Sequence, residues 1–243
     1  MKKTVLILTA FALIASSCNQ AAKQQSETAK TDIAVEQDNT FAQKAEDFVP
    51  ENEKIFKKIS GDLNGDGKND VILLTTETNE FAFIDGEDRN NRGIVIAFKK
   101  DNGYELIARM PYCFSPEPSD DYYQGISLKV EIKNGKLYIS HTYGRYGNYA
   151  YTFRYQNNYF EVIGFDYNTR IDEEESIIFE TKSINFLTKK MKVQTEILHW
   201  YGEEQIKDKE ETWHNITIKN LVKLTDIDDF ENFVIDKYYK EKK

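Results

Sequence analysis

Much of this chain is a series of short alternating segments joined by turn residues that accept positive φ, and that layout limits the folds open to it. VEIKNGKLYI places Asn134 and Gly135 between two alternating runs. That is the strongest local signal for a two-residue β-hairpin. KKDNGYELI repeats the pattern around Asn102 and Gly103, and FRYQNNYFEVIGF repeats it around Asn157 and Asn158. In YAYTFRY, Tyr149, Tyr151, Phe153 and Tyr155 share one parity while Ala150, Thr152 and Arg154 share the other. A strand with that pattern carries one aromatic face, which reads as sheet core. About a dozen such segments predict an all-β, antiparallel, hairpin-rich domain, either a sandwich or an incomplete propeller-like sheet. TDIDDFENFVIDKYYKEKK breaks the pattern. Ile227, Phe230 and Val234 fall at helical spacing, with acids leading and lysines trailing, so a short terminal helix is expected near 226–240.

The N-terminus has a different character. MKKTVLILTAFALIASSCNQ carries two lysines, an apolar run from Val5 to Ile14, and small residues directly before Cys18. This is the layout of a bacterial export signal. The apolar run is about half the ~20 residues that a spanning helix needs. An ordinary secretory peptide and a short membrane span are the alternatives. Ala15-Ser16-Ser17-Cys18 resembles the lipobox of bacterial lipoproteins, although Ala15 stands where leucine is commonest. The resemblance implies a signal peptide over 1–17, lipidation of Cys18 and membrane association through that lipid. Asn19 is not the aspartate of the inner-membrane retention rule, so the outer membrane is the expected address. Residues 18–47 are rich in Gln, Ala, Lys, Glu and Thr and read as a flexible tether. Such a coil reaches roughly 30 Å. Residues 48–243 then form one β-rich domain.

Loss of Lys2 and Lys3 takes the formal charge from −9 to −11. A surface so acidic excludes a nucleic-acid partner. The second cysteine, Cys113, would have no disulfide partner once Cys18 carries lipid. It reads as a small buried apolar group.

GDLNGDGKNDVILL, residues 61–74, carries the clearest chemistry. Asp62, Asn64 and Asp66 are spaced by two, Asp70 follows, and Lys68 can add its carbonyl oxygen. A hard cation such as calcium takes six to eight oxygens of these kinds. Gly65 and Gly67 let the backbone bend. Leu73 stands where an EF-hand requires a bidentate glutamate, which excludes that motif. The alternative is an ordinary polar turn. GDLNGDGKNDVILLT resembles the DxNxDGxxD calcium loop of integrin-type FG-GAP and related secreted β-repeat families. The resemblance covers about fifteen residues and occurs once. It implies calcium ligation by Asp62, Asn64, Asp66, Lys68 and Asp70, in a structural role. The polar loop 85–93 could lend oxygens from Asp85, Glu87 or Asp88, but Arg89 and Arg92 favour an exposed, ion-paired hairpin.

Enzyme signatures are sparse. No nucleophile elbow, Walker loop, dinucleotide fingerprint or zinc-protease motif occurs. HWYG and TWHN could pair and bring His199 to His214 and Trp200 to Trp213, but two histidines make a poor zinc site. Paired carboxylates of a carbohydrate-active hydrolase would come from Glu117, Asp120 and Asp121 or from Glu173–Glu175. Tyr143 and Tyr146, with Asp120 and Asp121, are candidates for a binding surface. The expected function is non-enzymatic binding of a protein or glycan in the bacterial envelope, of an inhibitor or immunity type. The hydrolase and a structural envelope component are the alternatives.

Overall fold

A computed structural model of the chain describes residues 40–242, apart from 85–86, 117–125 and 202–203. The signal peptide, Cys18, most of the tether and the candidates Glu117, Asp120 and Asp121 lie outside the described residues. The architecture is all-β, built from antiparallel sheets and a half-barrel. Its strands are β1 (Phe41–Ala42), β2 (Glu53–Gly61), β3 (Asp70–Glu77), β4 (Phe83–Ile84), β5 (Glu87–Asp88), β6 (Arg92–Lys100), β7 (Gly103–Phe114) and β8 (Ile126–Lys133). They continue as β9 (Lys136–Tyr143), β10 (Gly147–Gln156), β11 (Tyr159–Asp172), β12 (Ser176–Asn185), β13 (Lys190–Tyr201), β14 (Glu204–Ile218) and β15 (Tyr239–Glu241).

A five-stranded sheet has the order β1-β7-β6-β3-β2, and an eight-stranded sheet runs from β15 and β14 in sequence order back to β8. A third, two-stranded pairing joins β4 to β5. From β8 to β14 the long sheet is a plain meander whose successive strands are separated by two to four residues, and two-residue turns join β8 to β9 and β10 to β11. Lys133 pairs with Lys136, and Asn134 and Gly135 both take positive φ. Gln156 pairs with Tyr159, and Asn157 and Asn158 do the same. Positive φ at both central positions matches the twist of the flanking strands. Around residue 102 the turn is Asp101–Asn102, with Gly103 already paired to Lys100.

The two sheets share one core. Ile72, Leu74, Ile94, Ile96 and Phe98 from the smaller sheet meet Leu137, Ile139, Tyr151, Phe153 and Phe165 from the larger. The aromatic parity of β10 therefore faces inward: Tyr151 and Phe153 are fully buried and Tyr149 nearly so. The opposite face of the smaller sheet is also covered. Ala45 and Phe48 seal Val71, Leu73, Val95 and Ala97. The fold thus begins before Phe48, since Phe41 and Ala42 already pair with β7. A tether ending at residue 47 is too long. Its last residues offer few apolar side chains, and the composition masks their use as a seal.

The terminal helix is not formed. Residues 224–238 run as an irregular strap with two short 3-10 turns, Leu224–Asp226 and Ile235–Tyr238, followed by β15. The Asp229 carboxylate accepts hydrogen bonds from the backbone N–H groups of Glu231 and Asn232, a local arrangement that competes with helix. The Phe230 N–H donates across the core to the Cys113 carbonyl. Ile227, Phe230 and Ile235 are buried, while Val234, placed on the apolar helical face by its spacing, is 46 % exposed. Truncating Phe230 to alanine should cost about 3 to 5 kcal/mol in denaturant unfolding, the usual range for a buried phenylalanine. Val234→Ala should stay within about 0.5 kcal/mol, as at most exposed positions.

Candidate metal centre and binding surfaces

Residues 61–70 connect β2 to β3 at the end of the smaller sheet. Leu63, 2 % exposed, hooks the loop into the main core. Gly65 and Gly67 take φ of 80° and 81°, the left-handed region that a side chain disfavours. The side chains organise this bend by accepting backbone N–H groups. Asp62 Oδ1 accepts from Gly65 at 2.6 Å and from Asn64 at 3.2 Å, and Asp62 Oδ2 accepts from Gly67 at 2.9 Å. Asn64 Oδ1 accepts from Asp66, and Asp66 Oδ1 from Lys68. The Gly67 hydrogen bond above all holds the Asp62 carboxyl below its ordinary range.

Asp70 differs from the other acids because it is fully buried. Its Oδ2 accepts from the Leu63 N–H at 2.8 Å and its Oδ1 from the Lys99 N–H at 2.9 Å. Burial pushes its pKa up, the two hydrogen bonds oppose that, and the charges of Asp66 and Asp62 add to the rise. The one lysine of the loop does not relieve it, since Lys68 Nζ stands 2.6 Å from Asp101. That pair is solvent-exposed and contributes little to stability.

Oxygen dominates the loop, as a hard cation requires. An ionised carboxylate oxygen offers about two lone-pair sites, so each Asp70 oxygen, with one N–H donor, retains capacity for a further partner. Among the described residues no group of three His, Cys, Asp or Glu side chains stands close enough together to hold a metal ion. The loop backbone is therefore ordered without its carboxylates gathered into one shell.

The other sites separate clearly. Tyr146 is 44 % exposed, with the Arg145 guanidinium 5.0 Å from its ring centre. Tyr143 is half-buried and leans on His141 and Tyr149. His199 and His214 do not meet. The register of β13 and β14 sets His199 opposite Ile206 and His214 opposite Met191, with Trp200 opposite Gln205 and Trp213 opposite Lys192. The two motifs lie too far along the hairpin for the pairing read from their likeness. Glu173, Glu174 and Glu175 are exposed between β11 and β12.

In the polar loop, Asp85 lies outside the described residues. Asp88 accepts from Asn90 and sits 3.4 Å from Arg92 Nη1, so ion pairing is what this loop displays. The hairpin is not wholly exposed, however. Arg92 is 7 % and Asn90 1 % exposed, with Arg92 bonded to Thr76 and lying 4.8 Å over Phe56. Sequence reasoning missed this buried cluster because a run of Asp, Arg and Asn looks like solvated loop. Cys113 is buried, and burial raises its thiol pKa far above the ordinary value, as expected of an inert packing residue.

These features define an all-β protein of antiparallel sheets with an ordered acidic loop between β2 and β3. Compared with known proteins, the chain matches no protein-family model, no curated protein and no solved structure.

Asp70→Ala removes both acceptors and leaves the buried Leu63 N–H and the part-buried Lys99 N–H without them. The ion-free protein should lose about 2 to 4 kcal/mol in urea unfolding. Asp66→Ala, on the exposed side of the loop, should cost under about 1 kcal/mol.

Proposed function

We propose that this chain is a lipid-anchored, calcium-stabilised, non-enzymatic binding protein of the bacterial envelope, with an inhibitor or immunity-type role. One observation carries the calcium part of this reading: Asp70 is a fully buried carboxylate whose ionisation is opposed first by burial and further by the charges of Asp66 and Asp62. A divalent ion bound by Asp62, Asn64, Asp66, Asp70 and the Lys68 carbonyl would relieve that repulsion. It would also fasten the β2–β3 connection in a domain whose one described cysteine is free. The anchor rests on the sequence before Cys18, and the binding role on the acidic balance and the sparse catalytic signatures.

The ion should raise the melting temperature by mass action. At a calcium concentration of about 100 Kd the gain is about 2.7 kcal/mol, which for a domain of this size is roughly 5 to 10 °C. The pH dependence has a definite sign. Asp70 titrates above its ordinary 3.8 in the ion-free fold, so its contribution is present below that value and is lost as pH rises through the raised pKa. Calcium binds the deprotonated form, so its stabilising effect should grow over the same window and be larger at neutral pH than in mild acid. Scanning calorimetry with calcium and with chelator measures both; identical curves at neutral pH would remove the calcium reading. Independently, Cys18→Ser should move the expressed protein from the membrane fraction to the soluble fraction, and unchanged fractionation would remove the anchor.

A further inference from the structure

The larger sheet extends beyond the core that it covers. Opposed residues in antiparallel strands share a face, so the core row Phe165–Ile184–Met191 defines the inside of the half-barrel. β15 and the strap cover this row and the next: Tyr239 Oη lies 3.6 Å from Met191 Sδ, and Lys182 Nζ lies 3.2 Å from Asp236. Further out, the same face presents Glu180 and Glu210 on either side of Thr195, and then the row Ile171–Ile178–Ile197–Asp208. Tyr167 is 36 % and Ile171 47 % exposed, while Ile178 and Ile197 are half-buried. A row of three adjacent isoleucines, Ile171, Ile178 and Ile197, on the inside of a curved sheet and bordered by the acidic row, is the kind of surface that marks an interaction site.

Its charge selects the occupant. Basic groups of this face are already beside acids: Lys182 at Asp236, His199 at Asp208 and His214 at Glu241, the last two pairs 3.3 and 3.2 Å apart. Glu180 has only threonines as cross-strand partners, Thr169 and Thr195, and Glu210 faces the same Thr195. Two glutamates therefore stand two strand spacings apart, about 9.5 Å along the sheet, with no cation across from them. A second copy would bring its own acids to the same place and be repelled. We infer that this trough is a docking surface for a basic polypeptide segment that also carries apolar side chains. The inference narrows the binding role proposed above to one face and one partner class.

The test uses the full mature chain and a fluorescent synthetic peptide alternating lysine and leucine. Peptides alternating lysine with serine and glutamate with leucine serve as comparisons, and anisotropy is the readout. Expected are binding of the lysine–leucine peptide, about tenfold weaker binding of lysine–serine, and none of glutamate–leucine. Glu180→Gln with Glu210→Gln should weaken binding about tenfold or more, and Ile178→Ser should weaken it without any change in net charge. A charge-matched control, Glu196→Gln with Glu211→Gln, alters the opposite face of the same strands and should leave affinity within about twofold. Equal loss in both double variants would reduce the effect to net charge and overturn the proposal. So would absent binding of the lysine–leucine peptide, indifference to Ile178→Ser, or lysine–serine binding equally well. None of these outcomes alters the calcium-dependent melting or the fractionation, so the trough can fail while the proposed function stands, and the reverse.

Discussion

Burial of the aromatic face of β10 is the interaction that holds the rest of the molecule in place. Phe98, from the smaller sheet, lies edge-on to Tyr155 at 4.7 Å and to Phe160 at 6.0 Å, both from the larger. Phe114 stacks on Phe230 of the strap at 4.9 Å, and Phe230 in turn meets Tyr151 and Phe153. Two sheets and a largely irregular connecting segment are thus fixed through one set of rings. Such pairs add about 0.5 to 1.5 kcal/mol each beyond the area they bury. Because Cys113 is free, no covalent link among the described residues shares this task. The loop at 61–70 inherits its position from the same core through Leu63.

How legible each part is depends on how local its cause is. The hairpins at Asn134–Gly135 and Asn157–Asn158 follow from φ preferences of two adjacent residues, and the inward face of β10 follows from simple parity. Both are readable from a few letters. The strap is not, because Ile227 and Phe230 fit helical spacing while Ile235, not Val234, is the next buried residue. Tertiary bonds decide the matter there, chiefly Phe230 N–H to Cys113 and the capture of two backbone donors by Asp229. The histidine motifs show the same limit: HWYG and TWHN look alike, but register along a twelve-pair ladder separates them.

The acidic loop and the inner trough contrast in the same way. All the polar groups of residues 62–70 lie within one short segment, so its turn chemistry and its oxygen donors can be listed from sequence. The trough is assembled from single residues of β11, β12, β13 and β14. Glu180 reads in its own strand as one more solvated acid, and Ile171 as a chance apolar residue near a turn. Only the cross-strand register gathers them into rows.

The two surfaces also have separate mechanical roots. The loop is tied to β6 through Asp70 and the Lys99 N–H, and to the β6–β7 turn through Lys68 and Asp101. Gly61, at its start, packs so closely on Ile132 of β8 that an added Cβ would stand 2.8 Å from the isoleucine Cγ2. Tightening the loop therefore acts on the seam where the end strand of one sheet meets the end strand of the other. The trough rows lie on β11–β14, and they are set by ladder pairing and by the strap. An ion at the seam would raise the free energy of opening the whole domain while leaving the trough's side chains where they are. Under the two proposals, stability and recognition would be tuned on different strands, which suits a small β domain whose one described cysteine is free.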